Sequence, residues 1–211
     1  MHSQRTTPLS SQSGIYGYFL LYLCIDLFFE KNMKNLFYLL LLFGLFSCNP
    51  KQEKQQTIRT DFTKKEQDIL SAARRIIDSA YYGTLITLDQ DNQPKARVME
   101  PFRPNKDFTI WLATTPRSRK VQEIRNNPIA TMHYFDKNRI GYVSLMGKAF
   151  IIDDDKIKSQ KWKAGWDRFY KNQKDDYLLI KFIPKTLELI SIPEGFVGDK
   201  KTWMPHQVKF Y

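Results

Sequence analysis

Two apolar periods follow one another along the body of the chain. Ile69, Leu70, Ala73, Ile76, Ile77 and Ala80 recur at helical spacing. Thr63-Lys64-Lys65-Glu66 stands ahead of them with the spacing of a capping box, so an amphipathic helix of about five turns is expected. Past Gly83 the period drops to two. Thr84 to Asp89, Ala96 to Phe102, Phe108 to Ala113, Ile129 to Phe135 and Ile140 to Ile152 read as strands, with turn chemistry at Gln90-Asp91-Asn92-Gln93 and Asn127-Pro128. Gly147 suits a bulge or a sharp bend. Tyr177 to Ile183 and Leu187 to Ile192 read as two further strands broken at Pro184. A short helix carrying Val121 and Ile124 separates the third and fourth strands, and Asp153 to Asn172 reads as a polar helix with Trp162, Trp166 and Phe169 on one side. About seven strands with short turns and few helices predict a mainly β protein, an antiparallel barrel with flanking helices. It is assigned to residues 63–192, with 193–211 as a C-terminal tail.

The N-terminal segments follow a different logic. Met33-Lys34-Asn35, an apolar run from Leu36 to Phe46 and Ser47-Cys48 form a positive n-region, an h-region and a small residue before a cysteine. The run is too short for a typical membrane-spanning helix. The pattern resembles a bacterial lipoprotein signal, which implies a signal peptide over 33–47, lipid attachment at Cys48 and a location in the cell envelope. Residues 1–32 hold a second apolar stretch, Ile15 to Phe29, and read as a mis-assigned extension before the true start or, alternatively, as part of a two-helix membrane anchor. Residues 48–62 are polar and without period, as a flexible tether would be.

Composition narrows the chemistry. The 211 residues are 42% hydrophobic, enough for a packed core. Lys and Arg number 33 against 22 Asp and Glu, a net charge of +11, which invites a nucleic-acid reading. The cations are interspersed with acids, as at Lys64-Lys65-Glu66, and form no long basic run, so nucleic acid is not an expected partner. After cleavage before Cys48 only one cysteine and two histidines, His133 and His206, would remain. A cysteine nucleophile, a disulfide and a multi-histidine metal centre are therefore not expected.

Residues 114–128 carry the densest chemistry. A strand ends at Thr114-Thr115-Pro116, Arg117-Ser118-Arg119-Lys120 follows, and a helix begins. Cations, a hydroxyl and the free N–H groups of a helix start together suit a phosphate monoester; a solvated basic helix start is the competing reading.

The order of motifs adds a resemblance. Gly83-Thr84-Leu85, Asp91-Asn92-Gln93-Pro94, Arg97-Val98-Met99, Ile110 to Thr114, Ser118-Arg119-Lys120, Asn127-Pro128 and Val143 to Ala149 follow one another in register. Over residues 66–192 this resembles the pyridoxamine-phosphate-oxidase-like FMN-binding split barrels, antiparallel and of Greek-key type, and most closely their general-stress-protein branch. The resemblance implies a homodimer with FMN in clefts between the subunits. It assigns Arg97, Ser118, Arg119 and Lys120 to the phosphate, Val98 and Met99 to the isoalloxazine edge, and Ala113 and Thr114 to the ring and ribityl chain. Tyr142 falls where the oxidases carry a glutamine. Phe102, after Glu100-Pro101, stands where true oxidases place a substrate-binding lysine, and 199–211 holds His206 but no arginine. These departures speak against a phosphorylated vitamer as substrate. An exported flavin-dependent oxidoreductase acting on an unidentified small molecule is the expectation. A non-catalytic module that carries or senses a flavin or a tetrapyrrole such as haem is the alternative.

Overall fold

The computed structural model describes residues 59–138, 140–172 and 175–211; the readings made for 1–58, Cys48 among them, lie outside those residues. The elements are α1 (Lys64–Ala80), β1 (Gly83–Leu88), β2 (Pro94–Met99), β3 (Ile110–Thr114), α2 (Arg119–Asn126), β4 (Ile129–Asp136), β5 (Gly141–Ile152), α3 (Asp155–Gln160), β6 (Leu178–Ser191) and β7 (His206–Lys209).

The capping box forms as the spacing predicts: the Thr63 side chain accepts from Glu66 N–H, and the Glu66 carboxylate accepts from Thr63 N–H. Arg59 reaches the same carboxylate at 2.5 Å. Ile69, Ala72, Ala73, Ile76 and Ile77 form the buried stripe of α1, which packs chiefly on β4 and β5.

Every strand pairing is antiparallel, in the order β2-β1-β4-β5-β6-β3, with β7 added to β6. The ring closes through a single bridge, Pro101 to Leu112, where Phe102 N–H donates to the Trp111 carbonyl at 2.8 Å. The expected antiparallel split barrel is thus present. Its interior is apolar, with Leu85, Leu112, Met132, Leu145 and Phe182 fully buried.

The structure corrects the sequence reading at three elements. Pro184 does not end a strand: β6 runs unbroken for 14 residues. Proline cannot donate to a ladder, and here it sits opposite Gly147, where the β5–β6 register shifts and Lys185 is left unpaired in the ladder. A Cβ on Gly147 would lie 2.1 Å from the Ile183 carbonyl oxygen, so glycine is what allows the two strands to approach at the bulge. The same point divides the sheet, since the first half of β6 pairs with β3 and the second with β7. The second correction concerns Asp153 to Asn172. The helix there is α3 alone, six residues long, followed by left-handed Gly165 (φ 81°) and a 3-10 turn over Trp166–Arg168. Trp162, Trp166 and Tyr170 gather around Tyr177, with ring centroids 5.1–5.8 Å from it, while Phe169 is exposed. Third, the segment read as a tail contains β7, and Val208 and Phe210 are buried.

Candidate functional site

The β3–α2 connection builds a cationic cradle. Ser118 occupies the N-cap position of α2 with extended backbone, yet its side chain does not cap the helix. Its Oγ instead accepts from the Lys120 ammonium at 2.6 Å, and Lys120 also donates to Thr114 Oγ1 at 3.3 Å. The hydroxyl that ordinarily satisfies first-turn N–H groups is therefore turned toward the lysine, which leaves the positive end of α2 available to an anion. Lys120 is half-buried; desolvation first, and the Arg97 charge second, hold its pKa below the usual lysine range.

Beside it lies a hub that sequence reasoning missed. Glu123, 4% exposed, accepts from Thr87 Oγ1 at 2.5 Å and from Arg97 Nη2 at 2.6 Å. Arg97 also donates to Thr87 Oγ1 at 2.5 Å and to the Leu85 carbonyl at 3.4 Å. Arg119 Nε stands 2.7 Å from the second oxygen, Glu123 Oε1, close enough for an ion pair but off the direction of a hydrogen bond. Burial raises the pKa of Glu123; the hydrogen bonds from Thr87 and Arg97 and the two guanidinium charges outweigh it, so the carboxyl lies below its usual range. The available signal was the i, i+4 spacing of Arg119 and Glu123 on a helix whose apolar face is Val121 and Ile124. Arg97, Arg119 and Lys120 against Glu123 leave two uncompensated positive charges around the helix start.

The remaining expected residues lie elsewhere on the barrel. Ala113 is half-buried against the aromatic cluster on the outside of β3, and Met99 packs on the main core. Val98 and Tyr142 occupy the outer sheet face. Val98 is 70% exposed and pairs with Thr84, which in turn pairs with His133. Tyr142 lies 5.6 Å from the His133 ring. His133 Nδ1 is within 2.9 Å of Ser144 Oγ, and burial lowers its pKa. The structure brings Arg97, Thr114, Ser118, Arg119 and Lys120 together and sets Val98 and Tyr142 apart from them on an open face.

A six-stranded antiparallel ring closed by one bridge, with a cationic helix start at its edge, defines a split barrel. The family described as pyridoxamine 5'-phosphate oxidase like matches residues 68–191, and the chain belongs to that family. General stress protein 26 of Bacillus subtilis (strain 168) is 29% identical over 133 residues, covering 61% of this chain and 93% of that protein. The crystal structure of general stress protein 26 from Bacillus anthracis str. Sterne is 26% identical, with a TM-score of 0.52 over 70% of this chain and 99% of that one. A Clostridium acetobutylicum protein related to general stress protein 26 shares the fold at 17% identity, with a TM-score of 0.56 over 68% of this chain and 95% of that one.

Proposed function

We propose that this protein binds FMN and serves as a flavin-dependent oxidoreductase of the cell envelope, acting as a homodimer. The observation that carries the reading is the cradle: the helix start of α2, the Lys120 ammonium held by two hydroxyls, and a net of two positive charges around one buried carboxylate. A phosphate monoester carries roughly −1.5 to −2 charges near neutral pH, so the residues fit that group. Lys120, Ser118 and Arg119 would hold the phosphate, with Arg97 orienting Glu123 beneath them. A tetrapyrrole would bring carboxylates of a single charge each, where FMN brings a phosphate of nearly two. The bound flavin would supply hydride or electron transfer; the protein's part is to hold it and to shape the field around it.

Dimerisation is supported by the open sheet face. Val98, Ile129 and Phe135 expose 57–70% of their surface there, apolar side chains that a second copy of the chain would cover. The envelope location rests on the leader and Cys48.

The test is a titration of the full-length chain in mild detergent with FMN and with riboflavin, following flavin fluorescence. FMN should bind at least tenfold more tightly, since a charge-assisted contact to phosphate contributes about 1.5–3 kcal/mol. Equal affinities would refute the phosphate assignment. Absorbance of the purified protein separates flavin bands from a Soret band and so decides between flavin and haem.

A further inference from the structure

Of the four tryptophans only Trp203 stands in solvent, 80% exposed. Trp111 and Trp166 are buried, and Trp162 is packed into their cluster. Trp203 belongs to the connection that leaves β6 and returns as β7, a strand that pairs with β6 alone among the described residues. Met204 and Val197, on the same connection, are 56% and 51% exposed. Its two arms run side by side: the Phe196 and His206 ring centroids are 5.3 Å apart, and Asp199 N–H donates to the Met204 carbonyl at 2.9 Å. Trp203 N–H donates back to the Asp199 carbonyl at 2.8 Å. The Asp199 carboxylate accepts from Lys201 N–H, Thr202 N–H and the Thr202 hydroxyl at 2.9–3.0 Å. Gly198 backs onto Trp203, where a Cβ would lie 2.9 Å from the Trp203 carbonyl oxygen. The tip is thus a built turn, and it holds Trp203 outward at φ 58°.

The charge around the tip is one-sided. Lys200 and Lys201 are exposed beside Trp203. Asp199, whose carboxylate is engaged inside the turn, is the only acid from Gly195 to Tyr211. An indole ring with its N–H suits the boundary between lipid headgroups and acyl chains, and lysines beside it suit anionic headgroups. A protein partner fits less well. A standard interface buries about 800 Å² on each side, and three apolar side chains at a loop tip, the largest worth roughly 150–250 Å², fall short of that. The chain also enters the domain next to β7: Arg59 N–H donates to the Phe210 carbonyl at 2.8 Å. Seven positions separate Trp203 from Phe210 and eleven separate Cys48 from Arg59, spans of at most roughly 25 and 40 Å. A membrane-held Cys48 therefore leaves the tip within reach of the same bilayer.

We infer that the turn over 198–204 is a membrane-contact loop for an anionic lipid surface. Trp203 and Met204 enter the boundary between headgroups and acyl chains, and Lys200 and Lys201 meet the lipid phosphates. The loop would hold the domain in one orientation at the surface, where a lipid on Cys48 supplies only a tether. The inference rests on the envelope reading of this chain for bringing the loop to a bilayer, and on nothing in the phosphate cradle.

The test uses the full-length chain reconstituted in phosphatidylcholine vesicles with brominated acyl chains, with and without phosphatidylglycerol. All four tryptophans follow Arg59 in the sequence, so quenching of tryptophan emission by the brominated chains reports the domain and not the leader. Brominated lipid should quench an emission component that Trp203→Phe lacks, and adding phosphatidylglycerol should deepen the quenching. Lys200→Gln combined with Lys201→Gln should abolish that dependence on anionic lipid, with the circular dichroism of the parent retained. Equal quenching of the parent and Trp203→Phe would overturn the inference, as would a double Gln variant with the parent's response to phosphatidylglycerol. A fall in oligomeric mass in detergent for Trp203→Ser would also overturn it, by assigning the tip to a second copy of the chain. The anchor is read separately, by lipid labelling of Cys48: a chain unlabelled there but quenched at Trp203 refutes the anchor and retains the loop.

Discussion

Arg97 Nη2 and Glu123 Oε2 stand 2.6 Å apart, one reaching from β2 and the other from α2. The pair holds the cationic helix start against the barrel wall, with side chains only 18% and 4% exposed. It also sets the charge left for a ligand, because Glu123 is the one carboxylate shared by Arg97 and Arg119.

Glu123→Gln should therefore act in two directions. Losing the charge-assisted bonds costs about 1.5–3 kcal/mol, a fall in Tm of several degrees for a domain of this size. The cradle gains one net positive charge, so the preference for FMN over riboflavin should rise. Thermal melts and paired flavin titrations report the two effects, and a parallel loss of both would contradict this account of the charge. Acid should reproduce the first effect. The carboxyl lies below its usual range in the folded chain, so its contribution is present above the ordinary carboxylate pKa and is lost as pH falls through the lowered folded value.

Lys120 makes the opposite pH prediction for binding. Its pKa is lowered by desolvation and by Arg97, so it loses its proton at a pH below the usual lysine range. FMN affinity should fall as pH rises through that region, while riboflavin affinity stays level. Lys120→Ala should weaken FMN roughly tenfold to a hundredfold at neutral pH and flatten the pH dependence.

Gly147→Ala should be severe. The new Cβ would meet the Ile183 carbonyl oxygen at 2.1 Å and Pro184 Cα at 2.8 Å, both backbone atoms that cannot swing aside. A cost of about 3 kcal/mol, the upper part of the overpacking range, is expected. Denaturant unfolding measures it; a variant within about 0.5 kcal/mol of the parent would show that the bulge relaxes freely.

The proposed dimer predicts that Val98→Asp or Phe135→Asp yields a monomer with an intact fold, since both side chains lie open on the outer face. Light scattering and circular dichroism check mass and fold. Unchanged mass would place the interface elsewhere. His133, central on the same face, is held neutral by burial; its contribution is present above the ordinary histidine pKa and lost as pH falls through the lowered value, so acid should loosen this face.

Cys48→Ser should abolish lipid labelling and block maturation of the leader. The mature mass after expression from Met1 and from Met33 is the accompanying measurement; a product retaining residues 1–47 would replace the signal reading with a membrane-embedded N-terminus.

The local features of the fold were legible because they depend on neighbours in sequence. The Thr63–Glu66 capping box, the stripe of α1 and the strand cores of β1, β3, β4 and β5 follow from spacing alone, and each formed where the pattern put it. The basic helix start after β3 was legible for the same reason, since a strand end, a hydroxyl and cations within a few residues cannot be far apart in space. Pro184 and Gly165 show the limit of that reasoning. A proline in a strand pattern signals a break unless a partner bulge accommodates it, and the partner, Gly147, lies 37 positions earlier in the chain. The helix stops at Gln160, and left-handed Gly165 helps turn the expected stripe into a folded aromatic cluster whose anchor, Tyr177, stands just ahead of β6.

The sequence by itself determined the two apolar periods, the helix caps and the cations that crowd the start of α2, because those depend on residues a few bonds apart. Tertiary structure alone decided that Glu123 would be buried between Arg97 and Arg119, that Trp111 would be buried against Trp166 and Tyr177, and that Val98 and Tyr142 would face outward together. Each of these joins strands or helices far apart in the chain. Closure of the barrel fixes such distances, and no local period encodes them.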